Sequence, residues 1–281
     1  MNELTKAYLD LINASFEEDL GQNGDVSSLA VFEEAEKCEA YLLSKDDGIL
    51  AGSEGFTLSF TVRDPETILK WHKKDGDKIA KSDVVVSISG RTLSVLTAER
   101  TAINIIGFLS GIASETNKFV SAIASGSKCK ILDTRKTLPW YRLLSKYAVK
   151  MGGGLNHRMG LHDMVMLKDN HIDAAGSIAK AVTKVRGKWG NRFKIEVEAR
   201  TIDEVKQALE VKTDYIMLDN MNNQIMKECV ELIGGNAKVE ASGNMTLDRI
   251  QSVSAIGVDY ISVGKLTHSV ITHDFSLRVQ K

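Results

Sequence analysis

The chain has 281 residues, of which 43% are hydrophobic and 26% charged, and its formal net charge is -1. This length is sufficient for one large domain or two smaller ones. Near-neutral charge and few aromatic residues argue against a nucleic-acid-binding protein. The first residues lack the pattern of a signal peptide, and we expect no apolar run of membrane-spanning length. We therefore expect a cytoplasmic protein without nucleic-acid or membrane partners, whose three cysteines are reduced structural thiols.

The N-terminal part of the chain predicts helices and an antiparallel sheet. Apolar residues at helical spacing predict an amphipathic helix from Leu4 to Leu20. An apolar strand is predicted over Cys38–Leu43, and the turn signal Asp75-Gly76-Asp77 separates two further strands, Ile68–His72 and Val84–Ser89. A long helix then follows from Leu93 to about Ile123, with an expected break near Ser110-Gly111.

After Lys128 the pattern changes to short apolar strands that alternate with helices. The predicted strands are Cys129–Leu132, Met164–Leu167, Phe193–Val197, Asp214–Leu218, Ala237–Ala241 and Asp259–Val263. The predicted helices are Asp173–Val185, Thr201–Leu209, Asn222–Leu232 and Thr246–Ile256. Repeated βα units indicate a parallel sheet, and this number of units in succession favours a barrel.

Each predicted strand ends in polar or glycine residues. These endings are Asp133-Thr134-Arg135-Lys136, Lys168-Asp169-Asn170-His171, Glu198, Asp219-Asn220, Ser242-Gly243-Asn244 and Gly264-Lys265. In a barrel they share the C-terminal rim, where active sites are built. The alternative for any single ending is that polar residues merely begin a loop.

A local excess of positive charge precedes the second strand. Between Lys128 and Arg158 there are eight cations and one acid, Asp133, and three glycines lead into His157 and Arg158. Glycines and cations around the predicted helix Pro139–Met151 indicate a site for a small polyanion. Within that helix, the i, i+4, i+8 repeat of Arg142, Lys146 and Lys150 is more typical of a solvated face.

The remaining rim residues suggest phosphate and hydroxyl binding. The loops at Ser242-Gly243 and Gly264 lie where barrels commonly hold a phosphate, although a tight βα turn would need the same glycines. Glu198 and Asp219 could serve as acid and base, metal ligands, hydroxyl acceptors or partners of Mg²⁺–phosphate, or could pair structurally with a rim lysine. No ligand spacing in the sequence indicates a metal held by protein alone.

These residues together resemble the quinolinate phosphoribosyltransferase family, also called carboxylating nicotinate-nucleotide pyrophosphorylases. The resemblance extends in order from about Leu96 to Asp274 and is looser before it. The matching stretches are Leu96–Ala102, Leu109–Ala113, Leu132–Thr137, Lys146–Val149, Gly152–Asp163, Lys168–His171, Leu218–Asn220, Glu240–Gly243 and Gly257–Gly264.

The resemblance implies an α/β fold with two domains. It predicts an N-terminal α/β sandwich domain over residues 1–108, to which the C-terminal segment 268–281 returns. It also predicts an incomplete, roughly seven-stranded TIM-like α/β barrel over residues 109–267. Within the matching region, Leu138-Pro139-Trp140-Tyr141 replaces the family's more usual Thr-Pro-Gly-Leu, which alters the expected shape of that loop but leaves its cations in place.

The resemblance also implies a reaction: quinolinate and phosphoribosyl pyrophosphate give nicotinate mononucleotide, pyrophosphate and CO₂ in NAD biosynthesis, with Mg²⁺. The implied catalytic residues are Lys136, Lys168, Glu198 and Asp219. The implied quinolinate ligands are Arg135, Lys136, His157, Arg158 and, from the neighbouring subunit of a homodimer or higher assembly, Arg100. Lys136 and Lys168 would face pyrophosphate, Glu198 and Asp219 the ribose hydroxyls and Mg²⁺, and Ser242, Gly243 and Gly264 the 5′-phosphate.

Three alternative functions remain at this stage. A related phosphoribosyltransferase could act on nicotinate or another heterocycle, although the number of cations, including Arg158, favours a diacid. A Schiff-base aldolase could use Lys168 at its strand end as the nucleophile. A non-enzymatic barrel that binds phosphometabolites is the third.

Overall fold

The computed structural model describes residues 1–280, which form two compact units. The first unit comprises Met1–Asn117, Leu138–Gly153 and the segment from Ser269 onward, and the second comprises Lys118–Thr137 and Gly154–His268. The domain limits 1–108 and 109–267 remain a proposal, since the compact units follow a different division that returns residues 138–153 to the first unit.

In chain order, the helices are α1 (Glu3–Leu20), α2 (Val26–Val31), α3 (Ser53–Arg63), α4 (Thr92–Ser121), α5 (Arg142–Met151), α6 (Asp169–Ala175), α7 (Ile178–Trp189), α8 (Ile202–Glu210), α9 (Asn223–Ile233), α10 (Leu247–Ala255) and α11 (Lys265–His268). The strands are β1 (Lys37–Ser44), β2 (Gly48–Ile49), β3 (Ile68–Trp71), β4 (Lys78–Ile79), β5 (Val84–Arg91), β6 (Lys130–Leu132), β7 (Val165–Leu167), β8 (Ile195–Ala199), β9 (Tyr215–Asp219), β10 (Lys238–Ser242), β11 (Tyr260–Ser262) and β12 (Phe275–Gln280).

The first unit is built on an antiparallel sheet with the strand order β12-β1-β5-β3. The predicted antiparallel pairing is confirmed, because Ile68 lies opposite Ser89 and Trp71 opposite Val86. The C-terminal strand β12 pairs with β1, with Leu277 opposite Leu42, so the end of the chain completes this sheet. This is the N-terminal sheet domain that the resemblance implied.

The long helix α4 is continuous over 30 residues, so the predicted break near Ser110-Gly111 is wrong. Ser110 Oγ donates to Ala51 O and accepts from Ala51 N, while a side chain at Gly111 would overlap Ile271 O. Both residues are therefore small because neighbouring backbone approaches the helix closely, and neither interrupts it. By length and composition α4 could cross a membrane, but 67% of its most apolar window is buried within the protein, as in a core helix.

Helix α5 does not have the solvated cationic face that the spacing of its lysines and arginine suggested. Lys146 is fully buried, whereas Lys150 is exposed and Arg142 is partly exposed. The reason is that Leu144, Ala148 and Val149 make the helix amphipathic, and Lys146 lies on the buried side of that face. The repeat at i, i+4, i+8 drifts around the helix by about 40° per step, so its members need not share one environment.

The second unit contains a parallel sheet with the order β6-β11-β10-β9-β8-β7, so all six predicted strands are confirmed within two residues. One predicted helix, Asp173–Val185, is instead two. Gly176 adopts a left-handed conformation with φ of 90° and ends α6, and the Ser177 side chain caps α7 by accepting from Lys180 N. The other predicted helices agree with α8, α9 and α10, and Thr201 is the cap of α8.

The parallel sheet curls into an open barrel. Leu155 forms a single parallel bridge with Leu132 on the free side of β6, which reduces the implied seventh strand to one residue pair. In a flat sheet this segment would lie about 24 Å from β8, five strand spacings away. His157 Nε2 nevertheless lies 3.0 Å from Glu196 Oε2 on β8. Among residues 1–280 no ladder joins β7 to Leu155, so the barrel remains incomplete.

Candidate active site

The C-terminal rim of the barrel brings two carboxylates and a lysine together. Glu198 lies near the end of β8 and Asp219 at the end of β9, and Lys168 Nζ lies 3.8 Å from Glu198 Oε2. Burial and the nearby charge of Asp219 raise the pKa of Glu198, against the opposing effect of Lys168. Two carboxylates that repel each other can be stabilised by a shared cation or by hydroxyl donors.

The ends of β9 and β10 form one connected surface. Asn220 N donates to Ser242 O at 3.0 Å, and Asn244 Nδ2 donates to Asn220 Oδ1 at 3.2 Å. Gly243 has φ of 87°, and a Cβ at this position would overlap the Asn220 side chain. Only glycine fits this close approach between the two strand ends.

The ends of β6 and β11 are also adjacent. Ser262 pairs with Leu132 across these strands, and Thr267 Oγ1 donates to Lys136 O at 2.7 Å. A Cβ on Gly264 would lie 3.1 Å from Lys136 Cδ, so the glycine allows this lysine to lie across the loop. The structure thus places Lys136 beside the glycine loop in which a phosphate site is predicted.

Two arginines, Arg135 and Arg158, lie close enough for the charge of one to act on the other. Arg135 Nε is buried and has no hydrogen-bond partner among the described residues. Arg158 donates from Nη1 to Met164 O at 3.1 Å and from Nη2 to Met166 Sδ at 3.5 Å. Burial and the positive charge of Arg135 lower the pKa of Arg158. An anion bound between these guanidinium groups would relieve both effects.

His157 lies at the centre of a buried hydrogen-bonded cluster. Its backbone N–H donates to Asp133 Oδ1 at 2.9 Å, which fixes the chain after Leu155 against the end of β6. Its Nε2 lies 3.0 Å from Glu196 Oε2 and 3.3 Å from Glu240 Oε2. Burial lowers the pKa of His157, whereas the hydrogen bonds to Glu196 and Glu240 and their charges raise it. Burial and the charge of Glu240 raise the pKa of Glu196 to about 7.

Glu196 and Glu240 were not predicted from the sequence as site residues. They lie on alternate strands, β8 and β10. Glu196 is opposite Tyr215 of β9 and Glu240 is opposite Met217, two positions that share one face of that strand. The available signal was a glutamate within an otherwise apolar strand, at Ile195-Glu196-Val197 and Val239-Glu240-Ala241. An inward-facing acid in a barrel strand is costly unless it has a partner, and so it indicates a buried site.

The predicted site residues of the second unit lie at or next to its C-terminal rim, but Arg100 belongs to the first unit. Arg100 is exposed on α4. The resemblance assigns this side chain to the site of a neighbouring subunit.

Comparison with known proteins agrees with this architecture. Residues 25–110 match the N-terminal domain of quinolinate phosphoribosyl transferase, and residues 112–278 match its C-terminal domain. A probable carboxylating nicotinate-nucleotide pyrophosphorylase of Bacillus subtilis is 42% identical over 96% of this chain and 92% of its own. The chloroplastic carboxylating enzyme of Arabidopsis thaliana is 42% identical, over 96% of this chain and 82% of its own.

Solved structures show the same fold. NadC from Streptococcus pyogenes superposes with a TM-score of 0.95 at 38% identity, and all of both chains is covered. The nicotinate-nucleotide pyrophosphorylase from Francisella tularensis gives a TM-score of 0.94 at 38% identity over 98% of this chain and 97% of its own. The chain therefore belongs to the quinolinate phosphoribosyltransferase family, the phosphoribosyltransferases of NAD biosynthesis that form nicotinate mononucleotide.

Proposed function

We propose that the C-terminal rim of the barrel is the site at which this enzyme joins quinolinate to phosphoribosyl pyrophosphate and releases nicotinate mononucleotide, pyrophosphate and CO₂. The observation that carries the proposal is the pair Arg135 and Arg158. A buried guanidinium N–H without a partner, next to a second guanidinium, is unfavourable until an anion arrives. Quinolinate supplies two adjacent carboxylates, which match two forked cations.

Quinolinate binding is assigned to Arg135, Arg158 and Lys136, with His157 next to them. Pairing both carboxylates fixes the pyridine ring and directs its nitrogen toward the anomeric carbon of the ribose. Because the protein holds the two reactants in this orientation, they react as if within one molecule. We expect this positioning to supply a large part of the rate enhancement. Such a site also disfavours a monoacid, because one guanidinium would remain without a countercharge.

The chemical steps need little covalent help from the protein. The ring nitrogen forms a bond to the anomeric carbon as the bond from that carbon to pyrophosphate breaks, and the bonding electrons leave with pyrophosphate. The ring is then cationic at nitrogen. Cleavage of the C–C bond to the adjacent carboxylate releases CO₂ and leaves its electron pair on the ring carbon, where the positive nitrogen stabilises it. A proton from solvent then completes nicotinate mononucleotide, and charge stabilisation by the rim is the protein's main contribution.

Phosphoribosyl pyrophosphate is assigned to the other rim residues. Lys136 and Lys168 face the pyrophosphate, and the glycine loops at Gly243 and Gly264 present backbone N–H groups to the 5′-phosphate. Glu198 and Asp219 accept hydrogen bonds from the ribose hydroxyls. Catalysis here rests on position and charge.

Mg²⁺ fits the same place. Glu198 and Asp219 provide two oxygen donors close enough for the charge of Asp219 to raise the pKa of Glu198. Mg²⁺ prefers oxygen ligands and usually completes its shell with substrate phosphates. These two residues would hold the ion together with phosphoribosyl pyrophosphate. When bound, Mg²⁺ neutralises charge that develops on the departing pyrophosphate.

A comparison of quinolinate and nicotinate as substrates tests the assignment of the quinolinate site. Quinolinate with phosphoribosyl pyrophosphate should yield nicotinate mononucleotide and CO₂ in equal amounts, measured by chromatography and by release of label from the carboxylate next to nitrogen. Nicotinate should be used less efficiently by a factor of up to ~10⁴ in kcat/KM, as for sites whose buried polar groups are left unpaired. Comparable kcat/KM values for the two acids would refute the assignment.

The active unit is proposed to be at least a homodimer in which Arg100 completes the quinolinate site of the neighbouring barrel. Two inactive variants, Arg100→Ala and Lys136→Ala, should then complement each other when subunits exchange. Mixed dimers hold one intact site of two, and random exchange makes about half of all dimers mixed, so activity should approach about a quarter of wild type. Exchange without recovery would show that Arg100 does not act in trans.

The cytoplasm is the proposed compartment. Some plant relatives carry the designation chloroplastic or mitochondrial, so the family is not confined to one compartment. Fractionation of the source cells, with immunodetection of the chain, tests this placement.

A further inference from the structure

Both ring nitrogens of His157 are engaged within the protein. Arg158 N donates to Nδ1 at 2.7 Å, and Nε2 faces Glu196 Oε2 at 3.0 Å and Glu240 Oε2 at 3.3 Å. The side chain is 8% exposed, and those of Glu196 and Glu240 are 0% and 1% exposed. The ring is therefore turned into the barrel, toward the two carboxylates.

The contact from Arg158 decides the tautomer. A backbone N–H can donate only to a ring nitrogen that carries no proton, so Nδ1 is an acceptor and the proton of the neutral ring is on Nε2. Nε2–H is then the donor to Glu196 and Glu240. The two carboxylates raise the pKa of His157 and so favour a second ring proton. That proton would have to lie at Nδ1, where it would oppose the Arg158 N–H at 2.7 Å, and this close contact favours the neutral ring.

The same contact argues against a metal at this cluster. His157, Glu196 and Glu240 offer three ligand atoms within 4.8 Å of one another, and Glu196 Oε1 and Glu240 Oε1 are buried without partners. A metal would bind the unprotonated Nε2 of a ring whose Nδ1 carries the proton. Because Nδ1 accepts from Arg158, that arrangement would require the peptide between residues 157 and 158 to turn.

We infer that Glu196 and Glu240 are positioning residues that hold His157 as the neutral Nε2–H tautomer, and that His157 acts on the quinolinate site through the backbone of Arg158. This inference rests on the proposed function for its effect on quinolinate, but not for the tautomer itself. The buried carboxylates fix the ring, the ring accepts the Arg158 N–H, and this fixes where the Arg158 side chain starts. His157 then supplies orientation in place of a positive charge.

Nuclear magnetic resonance of the whole protein, labelled with ¹⁵N-histidine and free of substrates, tests the tautomer. The His157 signal is identified by its loss in His157→Gln. We expect one protonated nitrogen, ε2, and one unprotonated nitrogen, δ1, at neutral pH. A spectrum with two protonated nitrogens, or with the proton on δ1, would overturn the inference. Since no turnover is involved, this result is independent of whether the proposed reaction is correct.

Paired substitutions test the positioning role. Glu196→Gln keeps an oxygen that accepts from Nε2–H, whereas Glu196→Met keeps the length and removes the acceptor. We expect Met to raise the KM for quinolinate by roughly tenfold or more, and Gln by no more than about threefold, with the KM for phosphoribosyl pyrophosphate unchanged in both. Glu204→Met, at a surface ion pair with Arg200, is the control and should change neither constant.

Two outcomes would refute the positioning role. One is an unchanged quinolinate KM in a folded Glu196→Met, and the other is equal loss in the Gln and Met variants. If Glu196→Met does not fold, as judged by circular dichroism, the positioning role is tested with Glu240→Gln and Glu240→Met. The tautomer measurement on the wild-type protein tests it as well. A wild-type enzyme that forms no nicotinate mononucleotide would refute the proposed function but leave the tautomer result standing.

Discussion

Arg135→Met should make the unliganded protein more stable and the quinolinate site much weaker. In the unliganded chain, Arg135 Nε is buried without a partner and the guanidinium lies near Arg158. An unsatisfied buried polar group costs about 1–3 kcal/mol, and methionine keeps most of the length of the arginine stem. We therefore expect a gain in stability of about 1 kcal/mol, or roughly 2–4 °C in Tm.

Quinolinate binding should change in the opposite direction. Removing one partner of a buried charge pair costs about 2–5 kcal/mol of binding free energy. The Kd for quinolinate should therefore rise by a factor between roughly 30 and several thousand. Thermal unfolding without ligand and isothermal titration with quinolinate measure the two effects. Arg192→Met, at an exposed arginine stacked 5.1 Å from the Phe193 ring, is the control and should alter neither. A lower Tm for Arg135→Met, or unchanged quinolinate affinity, would refute the reasoning.

Three further predictions concern stability. Two hydrogen bonds from Arg91 hold the pKa of Asp64 below its usual range, so Asp64→Asn should lower Tm at neutral pH. That difference should vanish as the pH falls through the lowered pKa, and a constant difference would contradict it. Trp140, at φ of 64° and 94% exposed, should tolerate glycine with a gain of up to about 1 kcal/mol in chemical denaturation. Gly111→Ala should lower Tm through overlap with a backbone carbonyl, whereas Gly187→Ala, a helical glycine with open space around it, should raise stability by about 0.5–1 kcal/mol.

The sequence predicted elements wherever one local rule acted alone. Alternating βα units place β6 to β11 correctly, and the cap residue Thr201 marks the start of α8. Gly176 shows where two local rules compete, since it continues an apolar helical pattern but adopts a left-handed conformation that ends the helix. Gly111 is the opposite case: the sequence pattern predicts a break in the helix there, but the glycine is needed because the backbone of a packed segment approaches the continuous helix.

The site was predictable where it lies at strand ends. A polar residue that directly follows an apolar strand must lie at the rim, and this rule located Glu198, Asp219 and Lys168. The resemblance added identities to these positions. Neither rule describes how the residues meet, such as the 3.8 Å approach of Lys168 to Glu198, because that depends on the curl of the whole sheet.

Buried charge is what hydrophobic periodicity alone did not reveal. Lys146 follows the same spacing as two solvent-facing cations and is nevertheless fully buried, while Glu196 and Glu240 lie in strands that are apolar on both sides of them. Periodicity assigns a face to a residue, but whether a charge can remain on that face depends on partners brought from distant strands. His157 is such a partner, since Leu155 bridges the free edge of β6 and the curl of the sheet then carries the imidazole across to β8. The curl of the open barrel therefore brings the imidazole to the buried acids, and this approach depends on the whole sheet, which local sequence patterns do not describe.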